Sequence, residues 1–345
     1  MEVLFFFKKT AYDTFALMKP PAAQDIFSIR TPSQFEEVAL ALFRYQFEHN
    51  AVYRSFCDLL YKHPSEVNAL EQIPFLPINF FKTHQVVSGK GPIVQTFSSS
   101  GTTSSTSSKH YVSDLSIYQK SYLQGFQNQY GPISEYTILA LLPSYLEREG
   151  SSLIYMVDDL IKKSKQPDSG FYLDNFSALS EKLRQLDQSG NKVLLIGVSF
   201  ALLDLVEIHR FDLKHTIVME TGGMKGRRKE IIRAQLHDSL KAGFGVKHIH
   251  SEYGMTELLS QAYSKGEGIF ETPPWMQVFI RDPEDPLTLF DDARTGGLNI
   301  IDLANVHSCA FIATQDLGKK WADQSFAVLG RFDNADIRGC NLMAL

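Results

Sequence analysis

From about Tyr136 onward the chain alternates short apolar runs with amphipathic segments, and this alternation most restricts what it can fold into. Thr137–Leu142 and Lys192–Val198 have the character of buried strands, and Thr216–Met219 and Val246–His250 follow as two more. Between them, Ser177–Leu186 carries Leu179, Leu183 and Leu186 at helical spacing and ends at Ser189-Gly190-Asn191. Phe200–Ile208 reads as a helix, and Arg228–Lys241 as an amphipathic one. A β–α–β–α order predicts an α/β fold, with a parallel or mixed sheet covered by helices on both faces.

Two differently textured regions flank this core. Thr31-Pro32-Ser33 precedes Phe35, Val38, Ala39, Leu42 and Phe43, the spacing of a helix with one apolar face, for which Ser33 is the expected cap. Pro74 and Pro77 then impose an extended turn. After Pro273-Pro274, Met276–Ile280, Leu298–Ile301, Ala310–Ala313 and Phe326–Leu329 read as strands with no helix between them, a small β-rich subdomain. The expected division is a mainly helical part at 1–95, an α/β core at 96–272 and a β-rich part at 273–345.

With 345 residues, 44% of them hydrophobic and 21% charged, the chain has the composition of a globular protein with a large core. Its net charge of −5 argues against nucleic acid as a partner, because duplex binding draws on a basic face. No apolar run approaches the roughly 18–20 residues that span a bilayer. The Leu4–Phe7 cluster is followed, not preceded, by Lys8-Lys9, unlike a secretory leader, so a cytoplasmic location is expected. Three widely spaced cysteines, Cys57, Cys309 and Cys340, make neither a disulfide framework nor a cysteine zinc site.

Between Phe97 and Lys109 lie eleven consecutive Ser, Thr or Gly residues. Such a run is either a flexible linker or a loop that wraps a polyphosphate, with Gly101 allowing close approach and backbone N–H groups and hydroxyls donating to the anion. Further segments follow predicted strands, where ligands sit in open α/β sheets. Glu220-Thr221-Gly222-Gly223-Met224 is either a tight turn or a flat seat for a ring. Ser251-Glu252-Tyr253-Gly254-Met255-Thr256-Glu257 offers an aromatic face in Tyr253 and, in Glu257, a carboxylate for Mg²⁺, or is simply a polar loop. Asp316, expected at a strand end, suits a ribose and Arg331 a phosphate or ribose, although such pairs are more often surface salt bridges.

In this order the segments resemble the core motifs of the acyl-adenylate-forming (ANL) superfamily, which includes acyl-CoA ligases and luciferases. Ser100-Gly101-Thr102-Thr103 is similar to its phosphate loop and Gly222-Gly223 to its adenine-contact turn. Tyr253-Gly254-Met255-Thr256-Glu257 matches its Tyr-Gly-Met/Leu-Thr-Glu signature, and Gly330-Arg331-Phe332-Asp333 resembles its hinge. The resemblance implies a large N-terminal ANL-type domain of layered mixed sheets with a β-rich subdomain, lacking the small C-terminal domain. It implies ATP and Mg²⁺ as cofactors and a carboxylic acid, fatty or aryl, as substrate.

By the same resemblance, Ser99, Ser100, Gly101, Thr102 and Thr103 hold phosphates, and Gly222, Gly223, Met224, Tyr253, Gly254, Met255 and Thr256 the adenine side. Asp316 and Arg331 take the ribose, Glu257 the metal, and Lys109 stands as the loop lysine. Ile73–Lys82, the Gly222–Arg227 turn and Cys340 look like the LuxE-type acyl-protein synthetases, allied to phenylacetate-CoA ligases, which carry the acyl group as a thioester on a cysteine such as Cys340. The alternatives are an external thiol, coenzyme A or an acyl-carrier protein, or nucleotide binding without catalysis. The loop departs from the family pattern: Ser104 replaces a glycine, no proline follows, and Lys109 comes two positions late. Thr314-Gln315-Asp316 likewise replaces Thr-Gly-Asp.

Overall fold

The apolar runs of the α/β core become the inner strands of a large sheet. A computed structural model describes residues 19–99, 107–143, 150–173, 175–222, 231–290 and 293–332. In chain order its strands are β1 (Leu76–Pro77), β2 (Gln95–Ser98), β3 (Lys109–Val112), β4 (Thr137–Leu141), β5 (Gly170–Phe171), β6 (Val193–Val198), β7 (Thr216–Thr221) and β8 (His250–Tyr253). They continue with β9 (Ala262–Ser264), β10 (Ile269–Glu271), β11 (Met276–Arg281), β12 (Leu289–Phe290), β13 (Thr295–Asp302), β14 (Phe311–Lys320) and β15 (Phe326–Arg331).

The sheet runs β12-β11-β13-β14-β15-β10-β9-β8-β7-β6-β4-β5, with β1 added beside β14. Strands β5, β4, β6, β7 and β8 pair in parallel. From β8 outward along this path every pairing is antiparallel. The β-rich region is therefore hydrogen-bonded edge to edge with the parallel core. Every residue of β4 and β6 is buried, as expected of strands covered on both faces. Among the described residues no helix is long and apolar enough to cross a membrane.

Three boundaries differ from the sequence expectation. The helix expected after Thr31-Pro32, Pro32–His49, is capped by Thr31 rather than Ser33. Proline occupies the first helical position, so Thr31 Oγ1 accepts from Gln34 N at 3.3 Å while the Gln34 side chain accepts from Thr31 N at 3.2 Å. The last core helix is Arg233–Phe244, ending at a left-handed Gly245, rather than Arg228–Lys241; residues 228–230 lie outside the described residues. Strand β8 begins at His250, because its parallel register with β7 starts at the Met219–His250 pair, and it runs on to Tyr253. Of the expected Val246–His250 strand only His250 is thus on β8. Burial pushes its imidazole down to about 4, and Nδ1 lies 3.2 Å from the Tyr130 hydroxyl.

The N-terminal helices pack on the antiparallel half. Phe43 and Tyr53 sit against Phe311 with ring centroids 6.1 and 5.7 Å away. Gln46, fully buried, donates to Asn305 O at 2.8 Å and accepts from Ala310 N at 2.9 Å, tying its helix to the β13–β14 connection.

At the end of β13, the buried Asp302 carboxylate accepts from Leu259 N (2.8 Å), Ser260 N (3.0 Å), Ser260 Oγ (2.5 Å) and Ala304 N (3.1 Å). Burial raises its pKa to about 6 although these bonds favour the charged form. Replacing Asp302 with Ala strands several buried donors at once. We expect a loss on the order of 3–5 kcal/mol in urea unfolding, with Asp302→Asn losing less; a loss below about 1 kcal/mol, less than one stranded buried donor costs, contradicts the anchoring role.

Candidate active site

A cavity of about 400 Å³ opens where β4, β7 and β8 end, and Pro143, Thr221 and Glu257 lie on its wall. This is the carboxyl edge of the parallel sheet, where strand ends leave a crevice for ligands.

The Ser-rich run is the loop of a hairpin. Strands β2 and β3 pair from Gln95–Val112 to Ser98–Lys109. Ser99 N then donates to Ser108 O at 3.1 Å and Ser108 N to Ser99 Oγ at 2.9 Å, closing the loop's base. Ser98, Ser99 and Ser108 all border the cavity. The described ends of the run are thus paired with each other beside the cavity. Ser100, Gly101, Thr102 and Thr103 lie outside the described residues. Lys109 is exposed on β3 and is not among the cavity-lining residues, because strand alternation turns its buried neighbour His110 inward instead. The lysine that does line the cavity is Lys82.

Strand β7 delivers Thr221 and Gly222 to the cavity. Gly222 has φ +66°, a conformation side chains disfavour, and its carbonyl lies 2.8 Å from Ser199 Oγ. Gly223 and Met224 lie outside the described residues. On the opposite face Glu220 is buried. Burial opposes its charge, yet His237 at 3.6 Å and Arg233 at 3.7 Å hold its pKa below the usual carboxylate value.

The Tyr253–Glu257 motif straddles a strand end. Because β8 continues through Tyr253, that ring is turned into the interior, 5.9 Å from Phe270 and 5.7 Å from Phe326, and does not line the cavity. It is a prop rather than an exposed aromatic face: its hydroxyl donates to Asp316 Oδ2 at 2.7 Å. Gly254, Met255, Thr256 and Glu257 do line the cavity. The Thr256 carbonyl accepts from His110 Nδ1 at 2.9 Å, and burial drives that imidazole down to about 4, keeping it neutral. Asn305 Nδ2 donates to Glu257 O at 2.8 Å. The Glu257 carboxyl is raised by burial, against the opposing effects of the Ser108 hydroxyl and the Arg331 and Lys82 charges.

Asp316 is not at a strand end but inside β14, because β13 and β15 continue to pair with it on either side. Asp316 and Arg331 are cross-strand register partners, with Nε 3.1 Å from Oδ1. The carboxylate is buried and the arginine side chain is 75% exposed, so the pair forms a fixed anion with a cation at the cavity rim. Cys57 and Cys309 are buried, and burial pushes the Cys57 thiol up to about 12 and raises that of Cys309 as well, the reverse of a nucleophile. Cys340 lies outside the described residues.

Sequence reading passed over Glu252, which also lines the cavity. Its Oε2 accepts from Thr221 Oγ1 at 2.5 Å, and burial, with the neighbouring Glu220 charge adding to it, raises the carboxyl to about 7. Assigning it to a polar loop hid it; extending β8 by three residues is the signal that exposes it.

No protein-family model and no curated protein sequence matches the chain. Solved structures do. ATP-bound MatB from Rhodopseudomonas palustris aligns with a TM-score of 0.52 and 17% identity, over 70% of this chain and 49% of that one. A 2-hydroxyisobutyryl-CoA ligase in complex with 2-HIB-AMP and CoA, in the thioesterification state, aligns with a TM-score of 0.61 and 13% identity, over 91% of this chain and 72% of the ligase. The chain shares the fold of these ligase structures. At these identities the likeness is one of architecture, and the chain spans about half the length of the MatB structures.

The raised Glu252 carboxyl carries a pH signature. A folded pKa of about 7 against an unfolded value near 4.5 means the fold prefers the protonated form. Stability from this group is complete below the unfolded value and is lost as pH rises to 7. Glu252→Gln removes that loss. Its stability relative to wild type should climb between pH 4.5 and pH 8 by on the order of 3 kcal/mol in urea titrations; a flat difference means the Glu252 carboxyl titrates alike in the folded and unfolded states.

Proposed function

We propose that the protein activates a carboxylic acid with ATP, forming an acyl-adenylate, and then transfers the acyl group to a thiol. The observation that carries this reading is the convergence of the Ser99–Ser108 hairpin base, Glu257 and the Asp316–Arg331 pair on one cavity at the carboxyl edge of a sheet with the ligase fold. In the first step a carboxylate oxygen of the acid forms a bond to the α-phosphorus. The bond from that phosphorus to the bridging oxygen breaks, and pyrophosphate leaves with the electron pair. Charge builds on oxygens that need fixed donors. The hairpin loop, including Ser100, Gly101, Thr102 and Thr103, supplies them in this reading, with Lys82 or Lys109 nearby. Asp316 accepts from the ribose hydroxyls, held in place by the Tyr253 hydroxyl, and Arg331 balances its charge. Gly222, Gly223 and Met224, with Gly254, Met255 and Thr256, bound the adenine.

Among the described residues there is no group of three or more His, Cys, Asp or Glu suited to a metal. Glu257 alone fits Mg²⁺, an ion that is commonly held by one or two carboxylates together with substrate phosphates. When bound it would neutralise phosphate charge; the Ser108 hydroxyl orients the Glu257 carboxylate that holds it.

In the second step a thiolate attacks the acyl carbonyl and AMP leaves. We assign the thiol to Cys340, as in an acyl-protein synthetase, with coenzyme A or a carrier-protein pantetheine as the competing acceptor. Pyrophosphate exchange into ATP should appear with at least one acid of a panel. Glu257→Ala and Asp316→Ala should each reduce it on the order of 10²–10³-fold. No exchange with any acid leaves nucleotide binding without catalysis. Radiolabelled acid should remain on denatured wild type and be lost from Cys340→Ser; a label that survives in the variant removes Cys340 as the carrier.

A further inference from the structure

The most buried part of the cavity lining is not the plain hydrocarbon surface that an alkyl chain would require. Tyr118, Leu142 and Met156 provide apolar wall there, but Glu252 and Gln261 stand among them, 8% and 5% exposed. The Tyr118 hydroxyl is satisfied, donating to Ser152 O at 3.0 Å. Among the described residues the buried Gln261 carbonyl oxygen has no hydrogen-bond partner. Glu252 has Oε2 engaged by Thr221, and Oε1 accepts no bond from the described residues.

Glu252 Oε1 and the amide end of the Gln261 side chain border one spot. A methyl group built on Gly254 would lie 2.5 Å from Glu252 Oε1, 3.4 Å from Gln261 Cγ and 3.6 Å from Gln261 Nε2. Glycine at 254 therefore keeps open the space that both side chains border. An unpaired buried acceptor costs roughly 1–3 kcal/mol, and a ligand that displaces water from it must restore the bond. A hydrocarbon chain cannot. A hydroxyl or an amine can, donating to Gln261 Oε1 or Glu252 Oε1, and the Gln261 amide N–H groups can donate in return.

We propose that the acid activated in this cavity carries a hydrogen-bond-donating group, a hydroxyl or an amine, on its acyl portion, and that Gln261 and Glu252 read it. This rests on the acid-activating reading above and replaces a plain fatty chain by a substituted one. Gln261 and Glu252 are specificity residues, and neither is assigned a part in phosphoryl transfer.

The test compares acids of equal length that differ only in ending, or branching, with a hydroxyl, an amine or a methyl group. Each is measured by kcat/KM for pyrophosphate exchange and by the thermal shift it gives the full-length protein. Wild type should favour the best donor-bearing acid over its methyl counterpart about 10²-fold or more, with a larger thermal shift. Gln261→Leu should cut that ratio at least tenfold while leaving exchange with the methyl acid unchanged or faster. Gln261→Met and Glu252→Gln, closer in shape, guard against a variant that fails to fold. Equal or better use of the methyl acids overturns the proposal, as does a ratio unmoved in all folded variants. No exchange with any acid, together with a retained binding preference, upholds this inference and removes the acyl-adenylating one. Neither exchange nor acid binding removes both. Comparing the hydroxyl with the amine series assigns the donor.

Discussion

Four hydrogen bonds converge on the Asp302 carboxylate, and the position of the cavity wall follows from them. The chain leaves the parallel half of the sheet at Tyr253 and must turn back to begin the antiparallel half at Ala262. Asp302, at the far end of β13, captures Leu259 and Ser260 midway through that turn. The Ser260 hydroxyl, 2.5 Å from the carboxylate, also lies 3.0 Å from Trp275 Nε1 and from Ser121 Oγ, so the bond extends to the helix Leu115–Tyr130. Three residues further along β13's exit, Asn305 holds the Glu257 carbonyl. The segment after the motif is thus held from β13, while His110 of β3 holds the Thr256 carbonyl.

The cavity's carboxylates are set apart by their surroundings. Asp316 is held by a tyrosine hydroxyl and an arginine, both of which suit an anion. Glu257 is buried, but a serine hydroxyl and two cations oppose the effect of burial. Glu252 has one threonine hydroxyl and an adjacent glutamate, and burial prevails. The three side chains share one cavity yet differ in their preference for charge. Such divergence would let one site hold a metal, a ribose and an acyl substituent in the proposed reaction.

The strands of the core were legible because apolar runs between helical segments have few other readings. Thr137–Leu142, Lys192–Val198 and Met276–Ile280 appear as β4, β6 and β11 to within a residue or two. The errors sit where a boundary depends on a partner. β8 is displaced because its residues are polar, His250-Ser251-Glu252-Tyr253, and only the ladder with β7 makes them a strand. β14 runs through Asp316 because β13 and β15 flank it. Those two shifts account for the inverted role of Tyr253 and the oversight of Glu252, since a one-residue change in strand phase exchanges the inside and outside of every side chain. Lys82 and Gln261 carried no local signal; each reaches the cavity through long-range packing.

What the sequence alone determined was the order of elements and where its glycine-rich and polar segments fall among them. Periodicity and glycine-rich turns are local properties, and the motif residues stand in a recognisable order. Only the tertiary structure decided that Ser99 and Ser108 pair beside a cavity, that Tyr253 props Asp316, and that among the described residues Glu252 Oε1 and Gln261 Oε1 have no hydrogen-bond partner. Those facts depend on burial and on pairings between residues far apart in the chain, such as the 63 positions separating Tyr253 from Asp316. No local window of sequence contains them.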